Sequence, residues 1–152
     1  MTNPVKAFQA ALSAHQKRAS GGAQDLVTIV EDEFARIAKV NDALKVIWDQ
    51  QLPNLDDAVQ QGTDALADHE AKWLIWGVDK DGEEFEATID LWVSGSGRGK
   101  LYGVYRLDTP TVMQSHMGEN LVGPAERDPK KLLPVLSGPR GYGLTRLSWD
   151  RQ

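Results

Sequence analysis

The sequence predicts an α+β fold: an N-terminal segment of three helices packed on a C-terminal antiparallel β-meander of three or more strands. Three observations lead there. Apolar residues recur at spacings of three and four from Val27 to Trp48, the period of one helix face. From Phe85 to Val93 they recur at every second residue instead, the period of a strand with one buried face. Clusters of glycine and proline at Gly21-Gly22, Pro53 and Gly95–Gly99 separate these patterns, as chain-reversing residues do.

The first helix is expected over Pro4–Ala19. Asn3 can cap it, and Pro4 suits a first helical position, where no N–H is needed. Val5, Phe8, Leu12 and His15 form its inward stripe, and Ser20-Gly21-Gly22 ends it. The second helix, over Gln24–Gln51, carries the strongest pattern. Val27, Val30, Phe34, Ile37, Asn41, Leu44 and Trp48 form a heptad seam, and Asn41 on it resembles the polar residue that sets register in coiled coils. Leu26, Ile29, Val40 and Ile47 widen the stripe, which favours a bundle over a two-stranded zipper. After Pro53, Asn54 or Asp56 can cap a third helix, antiparallel to the second, with Leu55, Val59, Gly62, Leu66 and His69 inward. Gly62 leaves room there for a close approach.

The pattern changes near Lys72. Strands are expected near residues 72–78, 84–93 and 101–107, joined by a turn at Lys80-Asp81-Gly82 and by the glycine-rich link Ser94–Gly99. Thr111–Met117 reads as a short strand or irregular chain, and Leu144–Trp149 as a last edge strand. Pro124, Pro129, Pro134 and Pro139 exclude long elements between them. The division is thus a helical segment over 1–70 and a β segment with a Pro/Gly-rich tail over 71–152. At 152 residues, the two are expected to share one integrated domain.

Composition narrows the chemistry. There is no cysteine, so disulfides, thiol catalysis and thiolate zinc sites are excluded. No run of about 18 apolar residues is present to cross a membrane. Lys6 and His15 interrupt the N-terminal apolar pattern, which does not resemble a secretion signal. The expectation is a cytoplasmic protein without metal, cofactor or membrane association. Charge is divided unevenly. Met1–Gly95 holds eight Lys or Arg against seventeen Asp or Glu, and Ser96–Gln152 holds nine against five, so the parts carry −9 and +4. That asymmetry fits attraction between the two parts, a basic surface for a polyanion, or an acidic surface for a basic partner.

Candidate contact residues follow from the basic C-terminal part. Arg98 and Lys100 lie in a glycine-rich link that can expose backbone N–H groups to phosphate, although its spacing does not match a P-loop. The alternative is a flexible hairpin link. Arg140 and Tyr142 share the segment Pro139–Gly143, and Arg146 follows. Arginine can grip phosphate and tyrosine can stack on a base or peptide, or the ring can simply pack over a sheet edge. Trp92 falls on the polar side of its strand, where it either meets the tail or forms an interface patch. Asp79, Asp81, Glu83 and Glu84 lack calcium-loop spacing and read as solvated turn charges. His15, His69 and His116 stand far apart, and Ser115-His116 has no assignable third group for a hydrolase triad.

With no catalytic constellation, the leading expectation is a non-enzymatic macromolecule-binding protein, a regulator or inhibitor that occludes the surface of a protein partner. One alternative is nucleic-acid binding through the basic C-terminal half, which requires Arg98, Lys100, Arg140 and Arg146 to converge beside Tyr142 or Trp92. Another is a small enzyme built on carboxylates or His116. A homodimer through Leu44, Ile47 and Trp48 is also expected, because the first helix is too short to cover the whole second one.

Overall fold

The computed structural model describes residues 19–109 and 125–152, and these form an α+β fold of three α-helices and one five-stranded antiparallel sheet. The strands are β1 (Ala19–Gly21), β2 (Glu70–Val78), β3 (Glu84–Gly95), β4 (Leu101–Asp108) and β5 (Leu147–Arg151). The helices are α1 (Ala23–Asp49), α2 (Asp56–Ala67) and α3 (Leu132–Ser137). Spatial order in the sheet is β1-β5-β2-β3-β4. The expected first helix, Pro4–Ala19, lies outside the described residues apart from Ala19. So do Thr111–Met117, Ser115, His15 and His116.

The meander β2-β3-β4 forms where alternation places it. Ala71, Trp73 and Ile75 on β2, Phe85, Ala87, Ile89, Leu91 and Val93 on β3, and Leu101 and Tyr105 on β4 are buried on one face. The antiparallel register sets Trp73 opposite Ile89 and Leu91 opposite Tyr105, so apolar residues stack across strands. Leu26, Val27, Val30 and Ile37 of α1 close the core over this face, with Leu66 of α2 and Leu132 and Leu136 of α3.

Several expectations are corrected. The helices are not all N-terminal, since α3 lies in the Pro/Gly-rich tail, short because prolines flank and enter it. Strand β1 takes Ala19, read as the last residue of the first helix, with Ser20 and Gly21 of its expected stop, and pairs Ala19 with Trp149 and Gly21 with Leu147. The last strand is not at an edge. β5 runs between β1 and β2, paired on both sides, with Leu147 and Trp149 buried on the core face.

The first part of the α1 stripe, Leu26, Val27, Val30 and Ile37, is buried against the sheet and the other helices, while Val40 and Trp48 further along it are 41% and 38% exposed. Phe34 packs edge-on against Tyr105 with ring centroids 5.9 Å apart. Gly103 lets the helix come close, since a Cβ there would stand 3.0 Å from the Phe34 ring. Asn41 is 9% exposed, and its Oδ1 accepts the Leu101 N–H at 3.0 Å. The seam asparagine thus finds its partner inside the chain, which removes it as an argument for self-association.

The three residues of the expected dimer patch are covered to different extents. Leu44 packs against α2, where a Cβ on Gly62 would come within 2.8 Å of its Cδ2. Ile47 is half-buried, and Trp48, 38% exposed, lies under the Arg98 guanidinium.

Candidate binding face

All three described helices pack on one face of the sheet. Among the described residues, no helix crosses the other. Its outward side chains form rows fixed by the register. Glu70, Trp92 and Val104 make one row, and Lys72, Asp90 and Arg106 the next. The Gln152 N–H donates to the Lys72 carbonyl at 2.8 Å and extends this surface past the end of β5. Between the rows lies a groove of about 570 Å³, lined by Glu70, Lys72, Asp90, Trp92, Arg106 and Gln152 together with the Ala71 and Leu91 strands.

Electrostatics in the groove follow from alternating charge. Arg106 Nε donates to Asp108 Oδ2 at 2.9 Å, while a terminal nitrogen of Arg106 stands 4.0 Å from Asp90. Lys72 Nζ is 3.8 Å from Asp90 on the other side. Burial pushes the Asp90 carboxyl above its ordinary value, the Lys72 charge pulls against that, and neighbouring Asp108 adds to the rise. Trp92 is half-buried, with the Arg106 guanidinium 5.5 Å from its ring centre.

Of the residues singled out by sequence, only Trp92 belongs to this groove. Arg98 reaches back across the fold. Its guanidinium stacks on Trp48 at 3.9 Å and donates to Gln60 Oε1 at 3.2 and 2.6 Å. The glycine link is therefore docked on α1 and α2 rather than standing free. Gly95, Gly97 and Gly99 have φ of 131°, 107° and 75°, which only glycine adopts cheaply, and a Cβ on Gly99 would meet Lys45 at 2.7 Å. Lys100 is exposed at the end of this link. Tyr142 packs on Phe85 with centroids 4.5 Å apart, so the ring covers the sheet, and Arg140 is exposed in the preceding turn. Phe85 and Gly95 are ten residues apart on β3, about 33 Å. Arg98 and Lys100 thus lie at one end of the sheet and Tyr142 at the other. Arg146 reaches Ser20 at 3.2 Å, beside β1. The convergence required for a single basic nucleic-acid face is not present among these residues.

A second polar cluster lies at the other side of the sheet. Glu33, 2% exposed within the stripe of α1, accepts hydrogen bonds from Arg151 and from Arg36 at 3.1 Å, and its second oxygen is 3.1 Å from His69 Nε2. Burial raises this carboxyl, but hydrogen bonds from Arg151 and His69 and the charges of Arg151 and Arg36 outweigh it and hold the group below its ordinary value. Arg151 also sits 5.3 Å from the Trp73 ring centre. This cluster ties α1, the start of β2 and β5 together.

Sequence reasoning missed Glu70, Lys72, Asp90 and Arg106 as a group, since only the register brings them side by side. Glu33 had a visible signal: a carboxylate at a stripe position between Val30 and Ile37. Among the described residues, no group of three or more His, Asp or Glu is placed to hold a metal, and no helix is long and apolar enough to cross a membrane. Comparison with protein-family models, with curated proteins and with solved structures finds no match for this chain.

Proposed function

We propose that this chain is a non-enzymatic binding protein that occupies the surface of a protein partner, as a regulator or inhibitor, and that the outer face of its sheet makes the contact. The observation that carries this reading is the one-sided packing. The described helices cover one face, and the other presents a groove of about 570 Å³ with Trp92 and alternating charges around it. An aromatic ring ringed by polar groups is the composition of an interface centre with its rim. The mechanism is steric, with charge setting orientation and partner choice.

The test is capture from native lysate with three immobilised forms: wild type, Trp92→Ala, and Gln61→Arg on the exposed side of α2. The expected result is a protein retained by wild type and Gln61→Arg and lost with Trp92→Ala. Retention that ignores Trp92→Ala but fails with Gln61→Arg would move the contact to the helical face and overturn the assignment.

A further inference from the structure

We propose that the free edge of β4 is a second binding site, which takes a short extended peptide as one further strand. The sheet order leaves β4 at an edge. On the side away from β3, Tyr105 exchanges both of its backbone hydrogen bonds with Glu126 at 2.8 Å. Backbone groups along an antiparallel strand alternate in direction, and the register with β3 runs without a bulge from Thr88–Asp108 to Gly95–Leu101. Leu101 and Gly103 therefore turn their N–H and C=O to the same side as Tyr105. Asn41 accepts the Leu101 N–H at 3.0 Å. Among the described residues no hydrogen bond reaches the N–H or C=O of Gly103, although this residue is buried. Buried peptide groups are paired in nearly every case.

The same edge opens on a groove of about 360 Å³ between α1 and β4, the size of a small ligand site. Asn41 lines it at 9% exposure. Its Oδ1 is used by Leu101, and its Nδ2 has no partner among the described residues. One groove thus holds a backbone donor, a backbone acceptor and a side-chain amide donor, the set that an extended peptide backbone satisfies. A guest residue paired antiparallel with Gly103 points its side chain to the core side. There the small side chains of Ala35 and Ala38 lie beside the Phe34 ring, so an apolar guest side chain fits. Charge does not select the guest, since the lining has one acid, Asp42, and one base, Arg127. Length does. Glu126 occupies the place opposite Tyr105, so a second copy of β4 is blocked from pairing along the whole edge, and only a few residues can be added. The site is separate from the outer groove at Trp92 and stands whether or not that face engages a partner.

The experiment titrates the full chain with N-acetyl-Ala-Leu-Ala amide and with the same peptide N-methylated at its leucine. Backbone and asparagine side-chain NMR signals are followed. The parent peptide should give saturable shifts centred on Asn41 and residues 101–103, with the Gly103 amide proton moving downfield as it gains a hydrogen bond. The N-methylated peptide should bind about tenfold more weakly, as loss of a hydrogen bond that leaves a buried group unpaired does. Asn41→Asp keeps an acceptor for the Leu101 N–H but loses the amide donor, and should weaken the parent peptide about tenfold as well. Ala38→Trp, at an exposed position of α1, should fill the groove and abolish the shifts with the melting temperature unchanged. Equal binding of the two peptides, no saturable shift, or shifts at residues 70–72 and 90–92 instead would overturn the proposal. So would Gly103 shifts that grow with protein concentration alone, which would assign the edge to a second copy of the chain.

Discussion

Replacing Glu33 by Gln tests whether the buried carboxylate holds α1 to the sheet. Glu33 is 2% exposed, and its partners differ in exposure: Arg36 is 66% exposed, His69 32% and Arg151 24%. The Arg36 contact is therefore a surface pair contributing about 0–1 kcal/mol. The Arg151 bond is a charge-assisted hydrogen bond to a buried acceptor, of about 1.5–3 kcal/mol. Deleting one partner of a fully buried pair costs about 3–5 kcal/mol, but here the cations retain access to water and the carboxylate's desolvation is relieved. A net loss of about 2–3 kcal/mol follows, or about 4–12 °C in melting temperature for a chain of this size. Thermal and urea unfolding at pH 7 measure it directly. The pH dependence gives a second reading. The folded-state carboxyl sits below its ordinary value of 4.5, so its contribution is complete above that value and disappears as pH falls through the depressed one. The gap between wild type and Glu33→Gln should narrow in that acid range. A difference below about 0.5 kcal/mol at pH 7, typical of an ordinary surface change, would refute the reasoning. So would a gap that persists undiminished in strong acid.

Two further changes probe the docked link and the seam. Arg98→Ala should lower stability by about 1–2 kcal/mol, because it removes the stack on Trp48 and the bonds to Gln60, whereas Lys100→Ala should stay within about 0.5 kcal/mol; urea midpoints separate the two. Asn41→Ala strands the Leu101 N–H, which has this side chain as its acceptor, and should cost about 1–3 kcal/mol. The mass found by sedimentation equilibrium should be the same for Asn41→Ala as for wild type, and a lower mass for the variant would return Asn41 to a subunit interface.

What the sequence made legible was the periodic part. α1 and β3 are long, and each repeats one period often enough for tertiary packing to confirm rather than override it. The short elements were not legible, for a physical reason. Ala19-Ser20-Gly21 has no preference for a strand, and its conformation comes from the ladder with β5, more than a hundred residues away. β5 has five residues, and nothing in Leu147–Arg151 states that both of its edges will be paired. Asn41 shows the same limit from another side. A polar residue in an apolar stripe announces that a partner exists, and the stripe's resemblance to a heptad suggested another subunit. The actual partner is a backbone N–H sixty residues on, placed there by the turn of the glycine link.

Contacts within the fold engage part of the charge of the basic C-terminal part. Four arginines of the basic C-terminal part reach residues of the acidic first part: Arg98 to Trp48 and Gln60, Arg106 to Asp90, Arg146 to Ser20, and Arg151 to Glu33. Two of these, Arg106 and Arg151, meet carboxylates of the first part, and Arg98, the residue that made the glycine link look like a phosphate cradle, acts as a clasp on α1 and α2. Lys131 likewise pairs with Glu126 at 3.2 Å, and Arg127 lies 3.8 Å from the Tyr102 ring centre. A nucleic-acid surface needs several cations that neutralise phosphates together, and cations already committed to the fold do so at the expense of those contacts. The outer sheet groove does not carry that penalty. Glu70 and Asp90 stand there beside Lys72 and Arg106 around a tryptophan, so a partner docked on that face meets both signs of charge and breaks no contact that holds the helices to the sheet.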